Sequence, residues 1–170
     1  ESVAPRNEGG WMTPVVIDNG QEIVPDMNVV DENYISTFGL QLKEGRSFSK
    51  DYPADSTLSV MVNEAFVTAA GWKDAIGKNV KVMNRDPYKI VGVIKDYHFS
   101  SLYQKVTPQL FTCNNNYGGY STFYIKLSGN NIPAALDFVK AKFKEVFPSK
   151  PYAYDFLADI NDKQYEKEFQ

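Results

Sequence analysis

Tyr88-Lys89-Ile90-Val91-Gly92-Val93-Ile94-Lys95-Asp96, running on into Tyr97-His98-Phe99, is the strongest β pattern in the chain and decides its fold class. Tyr88, Ile90 and Ile94 are predicted to point one way, and Val91 and Val93 the other. With both faces apolar, this strand belongs in the middle of a sheet. Gly92 permits close approach by a neighbouring backbone. Upstream, Leu58 to Val62 reads as a second strand, and Asn63 caps a short helix from Glu64 to Ala70 that stops at Gly71. Val80 and Val82 mark another strand, followed by a turn from Asn84 to Pro87. Leu40 and Leu42 alternate with Gln41 and Lys43 as a half-buried strand. Glu44-Gly45-Arg46 then turns the chain, and Asp51 to Thr57, containing Pro53, is a polar loop.

The chain's ends are read in the same way. Glu1 to Pro14 is an irregular lead-in. Val15-Val16-Ile17, the turn Asp18-Asn19-Gly20 and the extended stretch Glu22 to Val30 form a hairpin, in which Pro25 demands an edge or a bulge. Asp31 is a helix cap, with Tyr34, Ile35 and Phe38 on one face and Gly39 as the stop. Gln109 to Phe111 and Thr122 to Leu127 flank a loop from Asn114 to Tyr120. Asn131 and Pro133 open the longest helix, whose apolar stripe is Ile132, Leu136, Val139, Phe143 and Val146, and Pro148 ends it. Tyr152 to Leu157 is a last strand, and Asp159 to Gln170 a polar helix. The fold class is α+β: a mixed or mainly antiparallel sheet with one long helix packed across it.

At 170 residues the chain is long enough to bury a real core. Its 43% apolar and 23% charged residues are ordinary globular values, but 11 Tyr, 11 Phe and 2 Trp make it rich in aromatics. A net charge of −3 without a basic patch argues against a nucleic-acid partner. The stretch from Lys140 to Lys150 is a solvated helix face diluted by Glu145. No apolar run approaches the ~20 residues of a membrane span. The chain begins at Glu1 rather than Met, and so reads as a piece of a longer protein.

No residues assemble into a reactive centre, so none is assigned as catalytic, cofactor-binding or metal-binding. His98 is the only histidine. Asp96, His98 and Ser100 sit at alternate positions, which would put them on one strand face and not in a linear proton relay. One His and one Cys cannot build a typical zinc site, and Cys113 has no partner for an internal disulfide. Asp155, Asp159 and Asp162 read as cap and surface residues. Gly118-Gly119 lacks the Lys-Ser/Thr of a phosphate loop. Within Asn114 to Tyr120, the residues Asn116, Tyr117 and Tyr120 are candidates for a partner-binding loop, since Tyr offers broad contact area and Asn and Gly adapt. The plainer alternative is a hairpin connection whose tyrosines pack on their own strands. Trp72 reads as a core plug.

The phrases Tyr34…Phe38-Gly39, Glu44-Gly45-Arg46-Ser47-Phe48, Val62-Asn63-Glu64-Ala65, Ile76-Gly77-Lys78, Ile90-Val91-Gly92-Val93 and Asp96-Tyr97-His98-Phe99 follow one another in fixed order. In that order and spacing, with the Tyr152 to Gln170 run, the chain resembles the periplasmic core domain of MacB/FtsX-like ABC permeases from about Val29 onward. The resemblance implies one extracytoplasmic domain over residues 1–170. It would have a β-rich lobe with short helices at about 30–112, inserted in a porter-like βαβ part at about 120–157, and a stalk at 158–170 leading to a membrane helix. It also implies a periplasmic location at the inner membrane. The implied partners are the chain's own transmembrane helices, a cytoplasmic ATP-binding subunit or domain, a periplasmic protein or transported substrate, and a second copy in the full transporter. It implies no cofactor, no chemistry in this piece, and no ligand residues that carry over. The family pattern begins with a strand and a long helix that this sequence lacks. The alternative is an extracytoplasmic peptide- or solute-binding module using the Tyr117/Tyr120 loop and Tyr152-Tyr154-Phe156; a hydrolase centred on His98 is the third reading.

Overall fold

The computed structural model describes residues 11–82, 85–97, 105–117 and 122–159. His98, Ser100, Gly118, Gly119, Tyr120, the tip of the Asn84 turn and the polar helix after Asp159 lie outside the described residues. The chain divides into two compact units, Glu1–Phe123 and Tyr124–Gln170.

The described residues of the first unit form nine strands: β1 (Trp11–Met12), β2 (Val15–Ile17), β3 (Glu22–Ile23), β4 (Asp26–Val29), β5 (Leu42–Gly45), β6 (Ser59–Asn63), β7 (Asn79–Val82), β8 (Tyr88–Ile94) and β9 (Gln109–Thr112). They lie in the order β1-β4-β9-β6-β8-β7-β2-β3, with β5 pairing onto β8 beside this path. The β4–β9 and β6–β8 pairs are parallel and the others antiparallel, so the sheet is mixed, as expected.

That order forces the sheet to curl. β1 and β2 are joined by two residues, Thr13 and Pro14, yet stand six strand spacings apart; so do β3 and β4, joined by Val24 and Pro25. Six spacings are roughly 29 Å in a flat sheet, whereas a two-residue link reaches at most ~11 Å between the flanking Cα atoms. The two ends of the sheet must therefore approach each other. The stretch Glu22 to Val30, expected as one strand, breaks at Pro25 because its halves serve opposite ends of the sheet. The expected β2–β3 hairpin is present, with Gly20 at φ 81° and Asn19 Oδ1 accepting the Gln21 N–H at 2.9 Å.

Enclosed by the curl is the main core: Val15, Met27, Val60, Val62, Val80, Val82, Ile90, Val93 and Leu110, all at 2% exposure or less. Helix α2 (Glu64–Ala69) adds Phe66, and Ala70 and Ala75 complete it. A second cluster lies on the other face of β6, β8 and β9. Here α1 (Tyr34–Phe38) and the following chain bring Tyr34, Ile35, Leu40 and Phe48 against Met61, Ile94 and Phe111.

Strand β8 is central, flanked by β6 on one edge and by β7 and then β5 on the other. Its alternation slips where Val60 pairs with Ile90 and Met61 pairs with Gly92, leaving Val91 as an extra residue. Such a bulge reverses the faces downstream. Ile94, expected beside Ile90, lies in the second cluster, while Val93 joins Ile90 in the main core. Strand β5 begins two residues later than the alternation of Leu40 and Leu42 suggests. Leu40 is buried, Leu42 is 37% exposed, and Glu44 and Gly45 belong to the strand rather than to a turn.

In the second unit, α3 (Ile132–Val146) starts at its expected cap, Asn131, whose Oδ1 accepts the Ala134 N–H at 3.3 Å. Phe143 on its apolar stripe meets Tyr152, with ring centroids 5.4 Å apart. Within this unit no residue of α3 is buried. Thr122 to Leu127 and Tyr152 to Leu157, expected as strands, have no ladder partner among the described residues, and Leu157 to Asp159 are helical.

Candidate functional site

Several of the ordered phrases picked out in the sequence converge on joints of the first unit. Asn63 ends β6 and caps α2. Its Oδ1 accepts the N–H of Phe66 at 3.0 Å and of Gln109 at 2.8 Å, while its Nδ2 donates to the Thr107 carbonyl at 2.9 Å. The side chain is fully buried, and these three bonds use both acceptor sites of its oxygen and one of its two N–H donors. Thr107 is tied in turn to Asp26, its Oγ1 donating to Oδ2 at 2.8 Å. One amide thus sets the start of α2 and the start of β9.

Beside it, Glu64 and Asp96 bind each other's backbone. The Ala65 N–H donates to Asp96 Oδ1 at 3.0 Å, and the Asp96 N–H to Glu64 Oε2 at 3.0 Å. Lys43 completes the joint at 2.8 Å from Glu64 Oε1. Lys43 and the Asp96 N–H hold the Glu64 carboxyl below its ordinary value. Burial of the Asp96 carboxyl, and then the charge of Glu64, push Asp96 up. Asp96 is an exposed residue, so solvent keeps this effect modest. The joint fastens α2 to the end of β8 and the start of β5.

Glycines make the third joint. A Cβ at Gly92 would stand 2.3 Å from the Arg46 carbonyl oxygen, and one at Gly45, at φ 73°, would stand 2.2 Å from that of Val91. Only glycines let β5 and β8 approach this closely. Arg46 then leaves the strand to meet Asp55 with both guanidinium branches, at 2.6 and 2.9 Å, and its guanidinium stacks on Tyr52 at 3.8 Å. Burial raises the Asp55 carboxyl, but Arg46, the Ser49 N–H and Ser59 outweigh it and hold the group below its ordinary value. Sequence reasoning missed Asp55, which lies in a 3₁₀ turn (Pro53–Ser56) inside the expected polar loop and is only 3% exposed.

The candidate partner-binding loop begins as a second 3₁₀ turn (Asn115–Tyr117). Asn116 is exposed and Tyr117 half-buried. The Tyr117 ring lies between Trp11, at 5.7 Å, and Tyr88, at 6.3 Å, with the Arg85 guanidinium 4.4 Å from its centroid. Its hydroxyl is 2.8 Å from that of Tyr88, and Asn114 Nδ2 donates to the same Tyr88 oxygen at 3.2 Å. Burial, and then the bond to Tyr88, raise the Tyr117 phenol. Tyr117 therefore anchors the base of the loop and aims Asn116 outward; Tyr120 lies outside the described residues. Trp72 packs against Phe66 at 6.1 Å, in keeping with a plug.

Among the described residues no three His, Cys, Asp or Glu side chains are grouped to hold a metal. The Cys113 thiol is pushed up to about 12 by burial, and then by Glu32, Asp55 and Asp31. A thiol so rarely ionised is a poor nucleophile. In the second unit an open groove is lined by Pro133, Leu136, Asp137, Lys140, Tyr152, Ala153 and Tyr154. No described helix is long and apolar enough to cross a membrane.

Comparison with known proteins gives this arrangement a context. The macrolide export ATP-binding/permease protein MacB of Aggregatibacter actinomycetemcomitans is 26% identical over 134 residues, which are 77% of this chain and 19% of that protein. The chain therefore spans about a fifth of that relative's length. The periplasmic region of MacB from Actinobacillus actinomycetemcomitans superposes with a TM-score of 0.61 at 21% identity, covering 81% of this chain and 64% of that one. A domain of a putative permease protein from Porphyromonas gingivalis gives 0.59 at 14% identity, covering 88% and 76%. The extracellular domain of the noncanonic ABC-type transporter YknZ from Gram-positive bacteria gives 0.51 at 14%, covering 68% and 54%. These structures share the fold. The model of the MacB-like periplasmic core domain matches residues 1–142, most of the chain, and on that match the chain belongs to the MacB-like periplasmic core domain family.

Proposed function

We propose that this chain is the extracytoplasmic domain of an ABC transporter permease, at the periplasmic face of the inner membrane. It passes conformational change between cytoplasmic ATP hydrolysis and a partner or substrate outside the membrane, and makes no chemical bond itself. The observation that carries this reading is that the family-bearing phrases supply joints. Asn63, Glu64, Asp96, Gly45, Gly92 and Arg46 fix strands and helix ends to one another. A part that transmits displacement needs such rigidity, since coupling travels through packed and hydrogen-bonded elements. In this reading residues 1–170 are one extracytoplasmic domain, with 30–112 as the β-rich lobe, 120–157 as the porter-like part and 158–170 as the stalk. The chain's own membrane helices and an ATP-binding subunit or domain lie below it, and a second copy stands beside it.

Partner contact is assigned to the loop of Asn116, Tyr117 and Tyr120. Its base is held by Trp11, Tyr88 and Arg85, so the exposed Asn116 is presented on a fixed support. The test is made in the intact transporter, reconstituted in vesicles with its ATP-binding part. Removing residues 11–159 is expected to leave basal ATP hydrolysis and abolish transport; transport that persists overturns the coupling role. Asn116→Arg with Tyr120→Ala is expected to lower transport at unchanged basal hydrolysis, and unchanged transport removes the loop from the partner surface.

The peptide- or solute-binding alternative draws on the groove beside Tyr152 and Tyr154. Titration calorimetry with aromatic peptides tests it: heat that survives Tyr154→Ala speaks against the groove as their site.

A further inference from the structure

We draw no further inference here: the strongest candidate, the open groove between α3 and the Tyr152–Tyr154 segment in the second unit with its exposed Tyr154, carries none because nothing in the structure shows what covers it.

Discussion

The two units treat the same kinds of side chain differently. In the first, Phe66, Met61 and Phe111 are sealed at 0% exposure, and a carboxylate as costly to bury as Asp55 sits in a bidentate pair. In the second, Phe138 and Val146 are 64% and 65% exposed although they belong to the longest described helix. Amphipathic periodicity describes a helix equally well whether or not its stripe meets a partner. The first unit thus holds its fold by packing and joints, and the second rests on helix propensity, an N-cap and a row of ring contacts.

The contrast breaks most readily at the second cluster. Phe111→Ala is expected to cost ~3–5 kcal/mol by the usual scale for buried aromatics, read as a lower denaturant midpoint of the first unit. A loss below ~1 kcal/mol would show that the cluster is loosely packed. Asn63→Ala should follow at roughly 2–4 kcal/mol, combining a lost cap with an orphaned Gln109 donor. Asn63→Asp should recover part of this, because its carboxylate keeps the acceptor. Gly92→Ala forces β5 away from β8 and should cost about 1–3 kcal/mol, the range for overpacking. Hydrogen exchange sharpens that result: Arg46, whose N–H donates to the Val91 carbonyl, should lose protection while β9 does not.

Acid tests the Arg46–Asp55 pair. The Asp55 carboxyl is held below its ordinary value in the fold, so its stabilising contribution is complete above the unfolded value near ~3.9. That contribution is lost as pH falls through the lower folded value. The stability difference between the natural chain and Asp55→Asn should therefore be constant at neutral pH and shrink below about pH 4. Asp96, shifted the other way, should gain stability as pH falls through its raised value. A difference that grows in acid would refute the assignment at Asp55. The smallest effect belongs to the second unit, where Val146→Ser should stay within about 0.5 kcal/mol, as surface changes do. A larger loss would mean that Val146 is covered in solution.

How much of this could be read from the sequence depended on range. Asn63 announced its cap and Gly39 its stop because both act within a few residues. β8 announced itself as central because both of its faces are apolar. The bulge at Val91 was hidden, since Gly92 advertises close approach without saying which residue is extra. Glu64 and Asp96 were hidden by the distance along the chain between them, and Asp55 by its neighbours, whose polarity disguises a buried carboxylate as loop. Pro25 was read as an edge or a bulge; its role as the crossing between the ends of a curled sheet needed the pairing of β4 with β9. At the candidate loop, composition singled out Tyr117, but only geometry distinguishes an anchoring ring from a contacting one.

The curl of the sheet also dictates an order of events. β4 has β1 on one side and β9 on the other, so the pairing of Asp26 with Gln109 must wait for almost the whole first unit to emerge. Pairings this distant in sequence make folding slow. A nascent chain halted before Gln109 would hold β6, β8 and β7 ready for β2 and β3, and leave β1 and β4 without the strand that joins them to the rest of the sheet. Seating β9 is thus the step that converts a row of local hairpins and helices into a closed unit.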